Sequence, residues 1–342
     1  MKRLSLFALL AGCFYLLQSC GNAPKQTQTP PEKVVIAYVT SWSETMPNPD
    51  LVTHINYAFG HVTDSFNGVR INNEERLRQI AALKKETPHL KVLLSIGGWG
   101  SGRFSEMAAD EQNRLSFAKD CQRVVQEFGL DGIDIDWEYP TCSAANISSS
   151  PDDTDNFTFL MRDIRQAIGK DKLLTMASVA SAKFVNFRAI MNDIDFVNIM
   201  SYDMANAPHH HTTLYRASIS GELTCDDAIK AHIDSGVPAD RLVMGMPFYG
   251  RGGKLLSNRN FRDIAPKGEY IEQWNDTAKV PYLINKEGIM VLGFDNVRSL
   301  SIKCEYILEK NLLGGMYWEY AGDNDNADLA RTVYEGIIKS SK

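Results

Sequence analysis

Eight short runs rich in apolar and β-branched residues recur along the chain, and charged stretches of helical character separate them. The first four are VVIAYVTSW (34–42), HINYAFGHV (54–62), KVLLSIGGW (91–99) and DGIDIDWEY (131–139). The last four are LLTMASVAS (173–181), FVNIMSYDM (196–204), RLVMGMPFYG (241–250) and GGMYWEY (314–320). Helical patterns occupy 74–86, 111–129, 155–170, 225–236 and 299–311. Eight strands interleaved with helices predict an α/β fold, a (β/α)8 TIM barrel. An open doubly wound sheet is the competing arrangement, but no Gly-rich phosphate loop supports it. More than sixty residues separate Tyr249 from Gly314. They predict a small α+β insertion between strand 7 and strand 8, at about 252–298, inside the barrel domain (33–342) and not a tandem domain.

Active sites of such barrels lie at the carboxyl ends of the strands. Those ends read Trp42, Gly97–Trp99, Glu138–Tyr139, Tyr202–Asp203, Tyr249–Arg251 and Trp318–Tyr320, a set rich in aromatics and acids. The fourth run carries Asp134, Asp136 and Glu138 at strict alternation with Ile133, Ile135 and Trp137. With 42 acids in 342 residues, three alternating acids arise by chance about 0.6 times in such a chain. Requiring apolar residues between them, at a 44% hydrophobic fraction, lowers this to about 0.1. On a strand the three acids share one face, and in a barrel that face is the interior. Three buried carboxylates cannot all be ionised, because like charges raise one another's pKa. The outermost, Glu138, is then expected to hold a proton near neutrality and to serve as a general acid.

DGIDIDWEYP resembles the D-x-x-D-x-D-x-E signature of glycoside hydrolase family 18, the chitinases and their relatives. SIGGW (95–99) is similar to that family's third-strand motif and MSYD (200–203) to its sixth. GMPFYGR (245–251) is similar to its seventh, and GGMYWEY places Trp318 at its last-strand Trp. The resemblance covers residues 34–338. It implies a retaining glycosidase that cleaves β-1,4 links of N-acetylglucosamine polymers without a cofactor. The substrate's acetamido oxygen would act as nucleophile through an oxazolinium intermediate, an exception to the two-carboxylate scheme.

By this resemblance Glu138 would protonate the leaving oxygen. Asp136 would hold the acetamido N–H, and Asp134 would share a proton with Asp136. Ser95 and Tyr38 would hydrogen-bond the inner acid. Tyr202 would bind the acetamido carbonyl, and Asp203 a sugar hydroxyl. Trp318 would floor the distorted sugar, and Trp99, Tyr249 and Arg251 would line neighbouring subsites. Gly98 and Met200 belong to the matching motifs, and Gly97 and Gly98 would permit close packing near the acids. Arg251 could equally sit in a structural ion pair. Asp131, at the start of its strand, reads as structural. Relatives leave two alternatives open: an endo-β-N-acetylglucosaminidase acting on the chitobiose core of N-glycans, and a catalytically silent sugar binder. Glu138 argues against the silent binder. The insertion reads as short, which suggests a shallow groove.

Lys2 and Arg3 precede the apolar run LSLFALLAGCFYLLQ, followed by LQSC (17–20) and the polar tether GNAPKQTQTPPEK. This resembles a bacterial lipoprotein signal peptide over 1–20, with lipidation at Cys20 and a linker over 21–32. LAGC (10–13) is the competing cleavage site, but it would leave FYLL exposed after the cut. The expected product is exported, monomeric and held at the cell envelope by lipid alone. Removing Lys2 and Arg3 takes the formal charge from −6 to −8. An acidic chain without a basic run excludes a nucleic-acid partner. Export permits disulfides among Cys121, Cys142, Cys225 and Cys304, with three possible connectivities. His209–His211 reads as loop surface or substrate rim, because three adjacent residues cannot aim at one metal from a regular element. No metal site is expected.

Overall fold

The computed structural model describes residues 32–264 and 270–341. The expected signal peptide over 1–20, with Cys20, and the expected linker up to residue 31 lie outside the described residues. Residues from Glu32 onward form one compact unit. Its eight parallel strands are β1 (Val34–Thr40), β2 (His54–Val62), β3 (Lys91–Gly97) and β4 (Gly132–Asp136), then β5 (Leu173–Val179), β6 (Phe196–Met200), β7 (Leu242–Pro247) and β8 (Gly314–Trp318). Each pairs with its neighbour in chain order, and β1 pairs with both β2 and β8, which closes the barrel. Helices follow most strands, including Glu111–Glu127 after β3 and Asp153–Ile168 after β4.

The strand pattern follows from burial on two faces. In β1 every residue is buried, so the run is continuously apolar, as a parallel strand between two packed layers must be. Val35, Ala37 and Val39 belong to the layer under the helices, while Val34, Ile36 and Tyr38 fill the barrel interior. The same period of two sends Ile133 and Ile135 into the helix layer and leaves Asp134 and Asp136 facing inward. Trp137 also packs outward, stacked on Phe104 at 5.3 Å.

Several strands end earlier than their sequence pattern. β4 stops at Asp136, so Glu138 lies in the loop just beyond the last ladder pair, Gly97 with Asp136. That loop is anchored by Asp153, a fully buried carboxylate. It accepts hydrogen bonds from Ser105 Oγ (2.7 Å), Thr141 N (3.1 Å) and Ser150 N (2.7 Å). Asp153→Ala orphans these donors and is expected to cost about 1–3 kcal/mol in urea unfolding. An unchanged midpoint would show that the loop is held by other contacts.

The stretch after β7 differs from the expected α+β insertion. Strands Tyr249–Gly252, Arg259–Asn260, Ile271–Asn275, Val280–Ile284 and Met290–Gly293 form one antiparallel five-stranded sheet. The helix of this region, Val297–Glu309, packs on the barrel instead, against β8. The sheet has its own small core of Leu256, Leu283, Val291, Leu292 and Phe294.

Cys121, Cys142, Cys225 and Cys304 are all free thiols, so none of the three permitted connectivities forms. Cys121, Cys225 and Cys304 are buried, and burial raises their pKa values. Among the described residues no helix is long and apolar enough to cross a membrane. No group of three His, Cys, Asp or Glu side chains among them could hold a metal ion.

Candidate active site

Asp134 is fully buried at the middle of the barrel. The register places Ser95, Asp134 and Thr175 side by side on β3, β4 and β5, so their side chains share the interior. Four donors converge on the carboxylate. Tyr38 and Ser95 hydroxyls donate to Oδ2 at 2.9 and 2.8 Å. Thr175 Oγ1 and Asn198 Nδ2 donate to Oδ1 at 2.6 and 3.1 Å. Burial pushes this carboxyl up, and the four hydrogen bonds oppose the shift without cancelling it. Tyr38 and Ser95 therefore stand where the sequence places them. Thr175 and Asn198 do not show in the sequence, because their contact depends on register across the closed sheet.

Asp136 lies one step further out, with Oδ1 buried and without a hydrogen-bond partner. No hydrogen bond joins it to Asp134, whose oxygens are already occupied. Burial, then Glu138, then Asp134 hold its carboxyl well above the usual range. Glu138 is pushed up to about 7, chiefly by burial, with the negative charge of Asp203 adding to the shift and a Tyr139 hydrogen bond opposing it. Asp136 and Glu138 titrate as interacting groups, not as independent acids.

The acids open into a cleft of about 490 Å³. Asp136, Glu138, Tyr202 and Asp203 supply its polar wall. Trp318, Tyr38, Trp99 and Met200 line it together with Tyr249 and Arg251. Phe59, Tyr139 and Ala177 complete the lining. Of the expected residues, Asp134 and Ser95 do not reach the cleft; they lie beneath it. Gly98 lines a second cleft of about 410 Å³ that shares Phe59, Trp99 and Trp318 with the first. Trp42 and Trp99, each 64% exposed, both border this second cleft. Trp318 stacks on Phe59 at 5.5 Å and an interplanar angle of 18°.

The two glycines have separate reasons. Gly97 has φ +135, and a Cβ there would sit 1.9 Å from the Asp136 carbonyl oxygen. A Cβ on Gly98, at φ +92, would meet the Phe59 ring at 2.6 Å. Gly97 lets β3 lie against the acid strand, and Gly98 makes room for the Phe59 ring.

Asp203 is engaged more fully than a free sugar-binding carboxylate. Arg251 Nη1 contacts Oδ2 at 2.5 Å, and Tyr249 donates to Oδ1 at 2.6 Å. Burial would raise this carboxyl, but His211, Tyr249 and Arg251 together hold it below the usual range. Asp131 sits at the other end of β4, paired with Lys84 at 2.7 Å and accepting from Val92 N. The histidine triple departs from its expected place: His209 is exposed, but His210 and His211 are fully buried. The insertion sheet covers them, which no local pattern in PHHHTTLY indicates.

A family model for the glycosyl hydrolases family 18 matches residues 34–323, most of the chain. The chain belongs to this family. Among curated relatives, chitinase A1 of Niallia circulans is 34% identical over 73% of this chain, which spans 43% of that protein. Chitotriosidase-1 of Mus musculus is 29% identical over 83% of the chain and 72% of its own length. A solved family 18 N-acetylglucosaminidase from Paenibacillus barengoltzii superposes with a TM-score of 0.82. It is 32% identical, with 90% of this chain and 100% of that one covered. Membership in this family and its chitinase relatives make the protein a chitinase-like glycosidase.

The raised Glu138 carboxyl has two consequences. If it donates a proton in the reaction, kcat/KM should fall as pH rises through about 7. The unfolded chain releases this proton near the ordinary glutamate value of 4.5. Between the two values the folded protein binds a proton that the unfolded chain does not, so stability declines with rising pH. Glu138→Gln should therefore raise the melting temperature over wild type more at about pH 8 than at about pH 5. Equal gains at both would contradict the shift.

Proposed function

We propose that the protein hydrolyses β-1,4 links of N-acetylglucosamine oligomers or polymers with retention, using the substrate's acetamido oxygen as nucleophile. The observation that carries this reading is the ladder of acids, Asp134, Asp136 and Glu138, rising through the barrel to a cleft floored by Trp318. Glu138 protonates the leaving glycosidic oxygen and then, as carboxylate, takes a proton from the incoming water. Asp136, whose carboxylate lines the cleft, accepts the acetamido N–H and balances the positive ring. The Tyr202 hydroxyl, which lines the same cleft, donates to the acetamido carbonyl. Asp134, saturated by four donors, holds the layer below in place. Trp318, stacked on Phe59, offers an apolar face to the sugar. Asp203 is tied to Arg251 and Tyr249, which makes it a poor nucleophile for direct attack. The continuation into the second cleft, with Trp42 and Trp99 exposed, suits a substrate of several sugars.

Product analysis by mass spectrometry tests this, with chitohexaose and a high-mannose glycoprotein as separate substrates. N-acetylglucosamine oligomers from the first support the proposal, and their lengths report endo or exo action. Intact glycan released from the second alone moves the substrate to N-glycan cores and keeps Glu138 as the acid.

We also propose export of a monomer and anchoring through a lipid on Cys20. The basic start, apolar run and polar tether support it. Cys20→Ala should move the protein from the membrane fraction to the soluble one. Retention in the membrane would refute the anchor.

A further inference from the structure

His211 is a fully buried histidine at the end of a nine-residue excursion that begins at Asp203. Asp203 adopts a left-handed backbone, φ +57, although it is not glycine. Two contacts hold that turn. The Asp203 N–H donates to His211 Nδ1 at 3.3 Å, and the Met204 N–H donates to the His211 carbonyl at 3.2 Å. The same Nδ1 lies 3.4 Å from Asp203 Oδ1. Tyr249 and Arg251 also hold the carboxylate, and His211 Nδ1 lies within reach of both the backbone N–H and the side chain of Asp203.

The ring cannot satisfy itself at this position. While Nδ1 accepts the Asp203 N–H, the proton must sit on Nε2, which is buried without a partner. With the proton on Nδ1 the ring faces the Asp203 carboxylate, and the backbone N–H loses its acceptor. An orphaned buried nitrogen in either tautomer calls for an explanation. On its far side His211 stacks on His210 at 5.7 Å. His210 Nε2 lies 3.0 Å from Pro281 O and 3.1 Å from Phe294 O, on and next to the insertion sheet.

We propose that His211 is a positioning residue for the reaction: it fixes the Asp203 carboxylate beside Glu138, and the insertion sheet braces it through His210. This rests on the reading of Glu138 as the acid. The charged and titratable groups facing His211 are Asp203, His210, Asp295 and Lys303, with the Tyr249 ring 5.4 Å away. Those facing Glu138 are Asp203, Asp136, Tyr139 and Tyr202. Asp203 is thus the group that the two share. If His211 is lost, the turn loosens and the Asp203 carboxylate moves away from Glu138. Less negative charge then stands by Glu138, whose proton is released at lower pH.

The test compares His211→Phe with His211→Asn in the full chain, measuring kcat and KM on chitohexaose across pH. His211→Phe should lower kcat by about ten- to a hundred-fold, with KM changed less, and move the basic limb of the profile to lower pH. His211→Asn, whose amide can accept the Asp203 N–H, should restore both. A His211→Phe enzyme that loses thermal stability but keeps the wild-type profile overturns the proposal. Where His211→Phe does not fold, ring 15N shifts of the wild-type protein decide. A neutral His211 with an unprotonated Nδ1 near neutral pH supports the contact, and a protonated ring there overturns it. Wild-type protein inert toward chitohexaose would sink the functional reading alone, since the ring measurement still decides the Asp203 contact.

Discussion

Glu138→Gln is expected to slow hydrolysis of chitohexaose by about two to four orders of magnitude while leaving oligosaccharide binding in place. The substitution keeps the size of the side chain and removes the proton it can give. In the wild-type protein that proton is retained up to about pH 7, because burial and the neighbouring Asp203 disfavour the ionised form. Gln cannot donate to the leaving oxygen, and it cannot become the carboxylate that activates water. The cleft itself, with Trp318 stacked on Phe59 and Tyr202 on its wall, does not depend on residue 138 for its shape. Rate and binding should therefore separate: calorimetry with an oligomer should give a dissociation constant near that of wild type. A variant as active as wild type would remove Glu138 from the mechanism and revive the sugar-binding alternative.

The second large effect concerns stability. Lys303, on the helix Val297–Glu309, is fully buried together with Asp295. Its Nζ contacts Asp295 Oδ2 at 2.6 Å and donates to Thr212 O and Oγ1, both at 2.8 Å. Lys303→Ala leaves Asp295 buried and uncompensated, and it strips two donors from the loop that carries His211. The expected cost is about 3–5 kcal/mol, read from urea unfolding. Replacing both partners by apolar residues, Lys303→Met with Asp295→Leu, should recover most of that loss, because neither charge then needs a partner. If the single variant were as stable as wild type, the pair would be a passive feature of the interior.

These expectations draw on different parts of what was legible in the sequence. The alternation of GIDID with its neighbours already separates an acid face from an apolar face. The ends of the runs already point to Trp318, Tyr202 and Arg251. Side-chain period is a local property, so it survives without knowledge of the fold. Strand ends were less legible: the pattern of the fourth run continues to Tyr139, but the ladder stops at Asp136. Hydrogen bonding across strands, not alternation, decides where a strand ends.

By itself the sequence determined the number and order of the barrel strands, the inward set of acids and the place of Glu138 as the outermost of them. Only the tertiary structure decided who meets whom. Asp134 gathers donors from β1, β3, β5 and β6 because closure and register bring Tyr38, Ser95, Thr175 and Asn198 to one level. Asp203 meets Arg251 and His211 because the chain after β7 leaves the barrel to build a sheet that covers the loop after β6. The same covering turns His210 and His211 from polar loop residues into buried ones. Burial of a loop depends on what packs over it, and that partner lies about seventy to eighty residues away in the chain.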